Sequence, residues 1–163
     1  MIDAEIRSLA ERVLAACRAH GWMVATAESC TGGLVAGALT EIAGSSDVVE
    51  RGFVTYSNAA KMQLVGVPEA TLVAHGAVSR QTAQAMAQGA LARAPVALAV
   101  AITGIAGPGG GSAEKPVGLV HFAAAAKDGR LIHREKRYGD IGRGPVRRAS
   151  VIEALAMLLE LAS

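Results

Sequence analysis

Apolar residues near the amino terminus recur every three or four positions, which is the spacing of one face of a helix. This pattern predicts an amphipathic helix over residues 3–20 that ends at Gly21. Ser79 is placed to cap a long helix with similar apolar periodicity, and Pro145 stands where a final amphipathic helix begins. Shorter helices are predicted from near Thr31 to Gly44, from a cap at Asn58 through Leu64, and over residues 68–75.

Uninterrupted apolar runs predict strands at residues 22–28, 52–57 and 96–104, and the last run is apolar enough to be buried on both faces. The segments VGLVHFAAAAK and RLIHREKRY flank Asp128-Gly129, which is a strong signal for a short β-hairpin. Helices thus alternate with strands as far as the hairpin, and a helix closes the chain. This order predicts an α/β fold whose mixed sheet is covered by helices on both faces.

Length and composition favour one domain with a sizeable core. The 163 residues suit a single domain, predicted over residues 1–163, and 52% of them are apolar. No apolar run reaches the ~20 residues that a membrane span requires, so no membrane partner is expected. The first residues resemble neither a signal peptide nor a transit peptide, which predicts a cytoplasmic protein.

The charged residues and the cysteines limit which ligands and catalytic groups can be expected. The net charge is only +2, but eight of the sixteen Lys and Arg residues lie between Lys127 and Arg148. Such a cluster is usually solvated surface, and contact with a phosphate is the alternative. Cys17 and Cys30 form neither a disulfide framework nor a Cys-x-x-Cys metal site. Since no metal-ligand spacing occurs and few aromatics are available to stack on bases, no metal, cofactor or nucleic acid is expected.

Three loops are expected to meet at the carboxyl edge of the sheet, where α/β proteins bind ligands. They are residues 29–33, residues 56–61 and the loop that starts at Thr103. The last contains six glycines and two prolines between two strands, which favours a ligand-binding loop over a flexible surface loop. The P-loop, dinucleotide-binding and Gly-x-Ser-x-Gly patterns are absent from the sequence.

Ser29 and Cys30, in the stretch AESCTGG, are candidate nucleophiles, and each needs a group that accepts its proton. The four histidines are better explained as surface, capping or core residues. Lys61 lies five residues after Tyr56, and a lysine desolvated by apolar neighbours can accept a proton from a serine hydroxyl. On spacing alone, a solvated helix lysine is the simpler interpretation. A Cys30 thiol whose pKa is lowered at a helix N-terminus is a further alternative.

Five segments resemble one known family. They are AESCTGGLVAGALTEIAGSS, GFVTYSNAAKMQLVGV, GAVSRQTAQAMAQGA, AITGIAGPGGGSAEKPVGLVHFA and RRASVIEAL, and in this order they are similar to the CinA C-terminal domain. The resemblance implies a three-layer α/β/α sandwich with a mixed, mostly parallel sheet. It also implies a metal-independent amidohydrolase that converts nicotinamide mononucleotide to nicotinate mononucleotide and ammonia, in pyridine nucleotide recycling. A stand-alone domain of this kind, acting on a small nucleotide as a homo-oligomer, is expected.

The family's serine, tyrosine and lysine match Ser29, Tyr56 and Lys61, which implies a Ser/Lys mechanism assisted by the tyrosine. The amides that follow Ser29 would stabilise a developing oxyanion, and the glycine-rich loop and two late arginines would bind the substrate. The residues expected in these roles are Cys30, Thr31, Gly32, Gly33, Thr103, Gly104, Gly107, Gly109, Gly110, Arg143 and Arg147.

One segment departs from the family pattern. The family has Gly-Asp-Arg-x-x-Ile-Arg near its end, whereas this chain has GDIGRGPVRR, with two extra residues between Asp140 and Arg143. Arg143 and Arg147 still fit Arg-x-x-Val-Arg, so both are expected as phosphate contacts on a loop with an altered path. The alternative function is a catalytically silent nucleotide-binding or regulatory domain of the same fold.

Overall fold

The computed structural model describes residues 2–163 and contains the helices and strands in the predicted order. The α-helices are α1 (Ala4–His20), α2 (Leu34–Thr40), α3 (Asn58–Val65), α4 (Glu69–His75), α5 (Arg80–Arg93) and α6 (Arg143–Ala162). The strands are β1 (Val24–Glu28), β2 (Val49–Val54), β3 (Leu98–Gly104), β4 (Leu119–Ala126) and β5 (Leu131–Arg137).

The five strands form one mixed sheet with the order β2-β1-β3-β4-β5. β1 pairs in parallel with both β2 and β3, and the hairpin strands β4 and β5 continue the sheet in antiparallel pairs. Consequently β4 alone runs against the other strands of the described chain. The predicted α/β fold is therefore confirmed, and the carboxyl ends of β1, β2 and β3 share one edge.

Helices cover both faces of the sheet because its central strands are buried on both sides. On β3, Leu98, Val100 and Ile102 belong to the core shared with α1, α2 and α6, whereas Ala99 and Ala101 belong to the core formed with α5. The small alanines on the second face allow α5 to pack close to the sheet, with α3 and α4 against α5. These three layers are those of the predicted sandwich. Within residues 2–163, we find no helix with the length and apolar character of a membrane span.

Several helix limits follow the predicted caps. Asp3 accepts a hydrogen bond from the Ile6 amide at the start of α1, and Gly21 ends α1 with a φ of 68°. Ser79 accepts from the Thr82 amide at 3.1 Å and caps α5.

Other limits differ from the predictions. The second strand covers Val49–Val54 instead of 52–57, because it ends where its only neighbour β1 ends at Glu28. The α3 cap is Ser57, whose side chain accepts from the Ala60 amide, so the expected cap at Asn58 is wrong by one residue. Helix α2 ends at Thr40 rather than near Gly44, and α6 begins at Arg143, two residues before Pro145.

Candidate active site

A cavity of about 220 Å³ lies at the carboxyl edge of the sheet, where the three predicted loops meet. The loop after β1 contributes Ser29 and Cys30, and the segment after β2 contributes Tyr56 and Lys61. The end of β3, the segment before α5 and the start of α6 complete the lining. The lining residues are Ser29, Cys30, Tyr56, Asn58, Lys61, Ala77, Val78, Thr103, Gly104, Ala106 and Arg143.

Ser29 and Lys61 are in direct contact inside this cavity. Lys61 Nζ lies 3.1 Å from Ser29 Oγ, which is within hydrogen-bonding distance. Ser29 is the first residue after β1, and its amide donates to the Ile102 carbonyl at 2.9 Å, which extends the β1–β3 pairing to the serine itself. The rigid sheet therefore holds the backbone of the candidate nucleophile.

Helix α3 directs Lys61 into the protein rather than into solvent. Lys61 and Val65 are one turn apart and form the buried face of α3. The helix can approach α5 closely because α5 carries Gly89 at the crossing, where a Cβ would lie only 1.7 Å from the Val65 carbonyl oxygen. As a result Lys61 is only 1% exposed, and the solvated helix lysine favoured by spacing alone is wrong.

Burial lowers the pKa of the Lys61 ammonium, and the nearby Cys30 raises it to a smaller extent. Lys61 Nζ donates to the Thr55 carbonyl at 2.9 Å, and no carboxylate in residues 2–163 forms a salt bridge with it. A neutral amine keeps one lone pair after such a donation. Because Nζ lies 3.1 Å from Ser29 Oγ, a neutral Lys61 is close enough to accept the hydroxyl proton.

The Cys30 thiol lacks the electrostatic environment of a reactive cysteine. Burial is the main reason that the pKa of this thiol is raised to about 12. A backbone hydrogen bond opposes the rise, and the smaller charge effects of Glu28, which raises the pKa, and of Arg147 and Lys61, which lower it, follow. The alternative of a lowered pKa at Cys30 is therefore wrong. Its backbone amide immediately follows Ser29 and donates no hydrogen bond to another backbone group among the described residues, so it is available to an acceptor in the cavity.

None of the four histidines lines the cavity within the described chain. His20 bonds to the Ala162 carbonyl and stacks on Trp22, and His75 ends α4. His121 and His133 are neighbours on β4 and β5, with Nδ1 and Nε2 2.9 Å apart. The histidines therefore provide no proton acceptor for Ser29, in agreement with the sequence.

Tyr56 and Arg143 lie together at the cavity mouth. Arg143 donates to the Tyr56 hydroxyl at 3.1 Å and to the Gly107 carbonyl at 2.9 Å. Tyr56 is 62% exposed, and in the described chain its hydroxyl forms no hydrogen bond to Ser29 or Lys61. Tyr56 therefore makes no hydrogen bond through which it could pass a proton directly between Ser29 and Lys61. The side chains of Tyr56 and Arg143 are both accessible to a substrate.

Several backbone groups of the turn after Ser29 form hydrogen bonds within the protein. Arg147 donates to the carbonyls of Cys30 and Thr31, at 3.1 Å and 3.4 Å, and does not line the cavity. The Gly32 amide donates to the Ser29 carbonyl at 2.9 Å, so it is not available to an oxyanion. Thr31 and Gly33 also lie outside the cavity lining.

Only the start of the glycine-rich loop reaches the cavity. Thr103 and Gly104 line it, and the Thr103 hydroxyl donates to the Ala77 carbonyl at 2.7 Å. Gly107 contributes only its carbonyl to Arg143, while Gly109 and Gly110 are exposed at the loop tip. The structure therefore brings only the first residues of this loop to the cavity, and ligand binding by the loop stays a prediction.

Seven of the eight basic residues between Lys127 and Arg148 fall into two groups. Arg130, Arg134, Lys136, Arg137 and Arg148 form salt bridges with neighbouring carboxylates. Arg143 and Arg147 instead bond to the backbone and Tyr56 around the site. Within residues 2–163, no group of three or more His, Cys, Asp or Glu side chains is arranged to hold a metal ion.

The sequence predicts no catalytic or substrate-binding role for Glu28, Asn58 or Ala77. Asn58 and Ala77 line the cavity, and Glu28 is buried beneath the nucleophile turn. An acidic residue at the end of an apolar strand, directly before the candidate nucleophile, was the available signal for Glu28.

A model of the CinA C-terminal domain family matches residues 6–162. The chain belongs to this family. It is 54% identical over 159 residues to nicotinamide-nucleotide amidohydrolase PncC of Escherichia coli (strain K12), covering 97% of this chain and 95% of that one. The PncC of Enterobacter agglomerans is 51% identical over 160 residues, covering 98% and 96%. The crystal structure of competence/damage inducible protein CihA from Agrobacterium tumefaciens superposes with a TM-score of 0.98 at 60% identity, over 100% of this chain and 99% of that one.

Proposed function

We propose that this CinA C-terminal domain hydrolyses the carboxamide of nicotinamide mononucleotide to nicotinate mononucleotide and ammonia. The observation that carries the proposal is the 3.1 Å contact of Lys61 Nζ with Ser29 Oγ inside a cavity. Two relatives more than half identical over nearly the whole chain are named nicotinamide-nucleotide amidohydrolases, which supports this substrate.

In the first half of the reaction, Ser29 Oγ attacks the carboxamide carbon while neutral Lys61 takes the hydroxyl proton. The negative charge that develops on the carboxamide oxygen is stabilised by the Cys30 amide. The Lys61 ammonium then gives its proton to the departing nitrogen, which leaves as ammonia. Ser29 is now esterified and Lys61 is neutral again.

In the second half, Lys61 takes a proton from a water molecule as the water oxygen attacks the ester carbon. The tetrahedral intermediate collapses, Ser29 Oγ regains a proton from Lys61, and the product departs as a carboxylic acid, which gives its proton to ammonia or solvent and becomes the carboxylate. Each residue ends in the state in which it began, so the cycle consumes one water and requires no metal.

The test is to incubate the purified protein with nicotinamide mononucleotide and to follow ammonia by a coupled assay and nicotinate mononucleotide by mass spectrometry. We expect both products in equal amounts. A silent nucleotide-binding domain would bind the substrate in calorimetry and release neither, and that result would refute the proposed function.

Chelation should leave the reaction unchanged, since the proposed steps use only protein groups and water. The measurement is turnover before and after extended dialysis against EDTA, with the metal content of the sample determined in parallel. Loss of activity that zinc or magnesium restores would contradict the mechanism.

Arg143→Ala should raise the KM about tenfold and change kcat less, because Arg143 is at the mouth, away from the reacting atoms. A phosphate there would contribute binding that is equal in the ground and transition states. Steady-state kinetics with the nucleotide and with its phosphate-free riboside measure this. Arg130→Ala is the matched control, since Arg130 pairs with Asp128 in the distant hairpin turn. A KM equal to that of the control would remove Arg143 from the substrate site.

A homo-oligomer, a cytoplasmic location and a single domain over residues 1–163 stay predictions. Light scattering after size-exclusion chromatography measures the first of these.

A further inference from the structure

Glu28, the last residue of β1, is a buried acid that the proposed mechanism does not use. It is 1% exposed and does not line the cavity. Its carboxylate accepts four hydrogen bonds, from Thr31 Oγ1 at 2.7 Å, the Val35 amide at 2.8 Å, the Ala36 amide at 3.1 Å and Thr26 Oγ1 at 3.3 Å.

These partners explain how a carboxylate can be buried without a cation beside it. No Lys or Arg in residues 2–163 forms a salt bridge with Glu28. An ionised carboxyl group only accepts hydrogen bonds, and all four partners are donors. Removing an acceptor from such a buried group leaves donors unsatisfied, which is costly. The hydrogen bonds of Glu28 are therefore strong local restraints on the groups that donate to it.

The four donors belong to three different parts of the chain. Thr26 is on β1, Thr31 is in the turn that carries Ser29, and Val35 and Ala36 are in the first turn of α2. Ser29 and Cys30 lie between Glu28 and Thr31, so the hydrogen bond from Thr31 closes a short loop around the nucleophile. Arg147 restrains the same turn through the carbonyls of Cys30 and Thr31.

We propose that Glu28 is a positioning residue, which holds the turn of residues 29–33 so that Ser29 Oγ faces Lys61 and the Cys30 amide faces the cavity. The inference rests on the proposed function. A displacement of the reacting atoms by ~1 Å can cost about 10²-fold in rate. The two contacts that matter, to Lys61 and to an oxyanion, both depend on the path of this turn.

Two substitutions test the proposal, one at the carboxylate of Glu28 and one at a single hydroxyl that donates to it. Glu28→Gln keeps the size of the side chain but replaces one acceptor oxygen with a donor group. Thr31→Val keeps the shape of Thr31 and removes only its hydroxyl, which leaves Glu28 bonded to α2. We expect Glu28→Gln to lower kcat about 100-fold and Thr31→Val about tenfold, both with KM within about twofold of wild type.

Two control variants distinguish the loss of the Glu28–Thr31 hydrogen bond from other effects of the substitutions. Thr31→Ser restores the hydroxyl without the methyl and should be several-fold more active than Thr31→Val. Glu41→Gln makes the same acid-to-amide change at the far end of α2, where Glu41 pairs with Arg7 on the surface, and should have wild-type kinetics.

Three further measurements distinguish positioning from a general loss of structure. Circular dichroism and thermal melting show whether each variant is folded at the assay temperature. The pH at which kcat reaches half its maximum should be unchanged in Glu28→Gln and Thr31→Val, since Lys61 is intact. The rate at which a fluorophosphonate modifies Ser29, followed by intact-protein mass spectrometry, should fall in parallel with kcat.

The modification rate makes the inference independent of the substrate. If wild type is modified at Ser29 but releases no ammonia, the proposed substrate is wrong while the role of Glu28 is still tested by the reagent. A folded Thr31→Val with wild-type kcat and modification rate would overturn the inference, as would a Thr31→Ser no more active than Thr31→Val. A wild-type protein that is neither modified nor active overturns both proposals.

Discussion

Lys61→Arg should lose about 10³-fold in turnover of nicotinamide mononucleotide, although it preserves positive charge and much of the side-chain length. A guanidinium does not release its proton at any pH at which the protein is folded, so it cannot act as a base toward Ser29. An unperturbed lysine, with a pKa of ~10.4, is neutral in about one molecule in two thousand at pH 7. Burial lowers the pKa of Lys61 and so increases that fraction.

Ammonia release by Lys61→Arg and Lys61→Met should be compared with wild type across pH, with substrate binding measured by calorimetry. Both variants should bind substrate with little turnover. In wild type, turnover should rise with pH as Lys61 loses its proton, with a midpoint below ~10.4. Lys61→Arg with more than about a tenth of wild-type turnover, a barrier change under ~1.4 kcal/mol, would show that Lys61 only holds a charge.

The same shift has a consequence for stability. Between the lowered pKa of folded Lys61 and the ordinary pKa of the unfolded chain, the unfolded state binds more protons. The free energy of unfolding of wild type should therefore increase with pH in this interval, relative to that of Lys61→Met. Urea unfolding of both proteins at several pH values measures the difference. A difference that is constant with pH would mean that the Lys61 pKa is not lowered.

Ser29→Ala should abolish measurable hydrolysis, with a loss of about 10³-fold or more, or ~4 kcal/mol in the barrier. Among the described side chains that line the cavity, Ser29 is the one whose hydroxyl is hydrogen-bonded to Lys61 Nζ. Cys30→Ala, the matched control, removes the neighbouring side chain but keeps the backbone amide assigned to the oxyanion. It should keep turnover within about tenfold of wild type, with any loss arising from the packing of the buried thiol.

Mass spectrometry of the protein after rapid quenching provides a second measurement for the same pair. An acyl-enzyme on Ser29 adds the mass of the substrate less ammonia, and it should be present in wild type and Cys30→Ala if it accumulates. A reversed pattern, with an active Ser29→Ala and an inactive Cys30→Ala, would identify Cys30 as the nucleophile. The raised pKa of its thiol argues against that outcome.

The elements that were predictable from sequence are those in which local chemistry and burial agree. The apolar repeat of α1 between Asp3 and Gly21, the Ser79 cap of α5 and the hairpin at Asp128-Gly129 all agree with the structure. In each, the signal consists of neighbours in the chain, such as a cap three residues from the amide it accepts. The resemblance then identified Ser29, Tyr56 and Lys61, which line one cavity.

The first and last residues of a strand or helix were not predictable where they depend on a neighbouring strand or helix. The run of residues 52–57 predicts a strand, but hydrogen bonding to β1 sets the strand at Val49–Val54. A strand ends where its partner ends, and nothing in its own sequence records that position. The same applies to α2, which starts at Leu34 after a turn held by Glu28 and Arg147.

The sequence by itself determined the fold class, the family and the identity of the candidate nucleophile and base, because these depend on residue types in a fixed order. The burial, hydrogen bonding and pKa of these side chains depend on the tertiary structure. Lys61 has a lowered pKa because α3 turns it into the protein, where burial desolvates its ammonium group, and burial in the core of the opposite face of the sheet raises the pKa of the Cys30 thiol. Desolvation and hydrogen bonding arise between segments distant in the chain, such as Glu28 with α2 and Arg147 with Cys30. Their energies therefore depend on packing that no local pattern specifies.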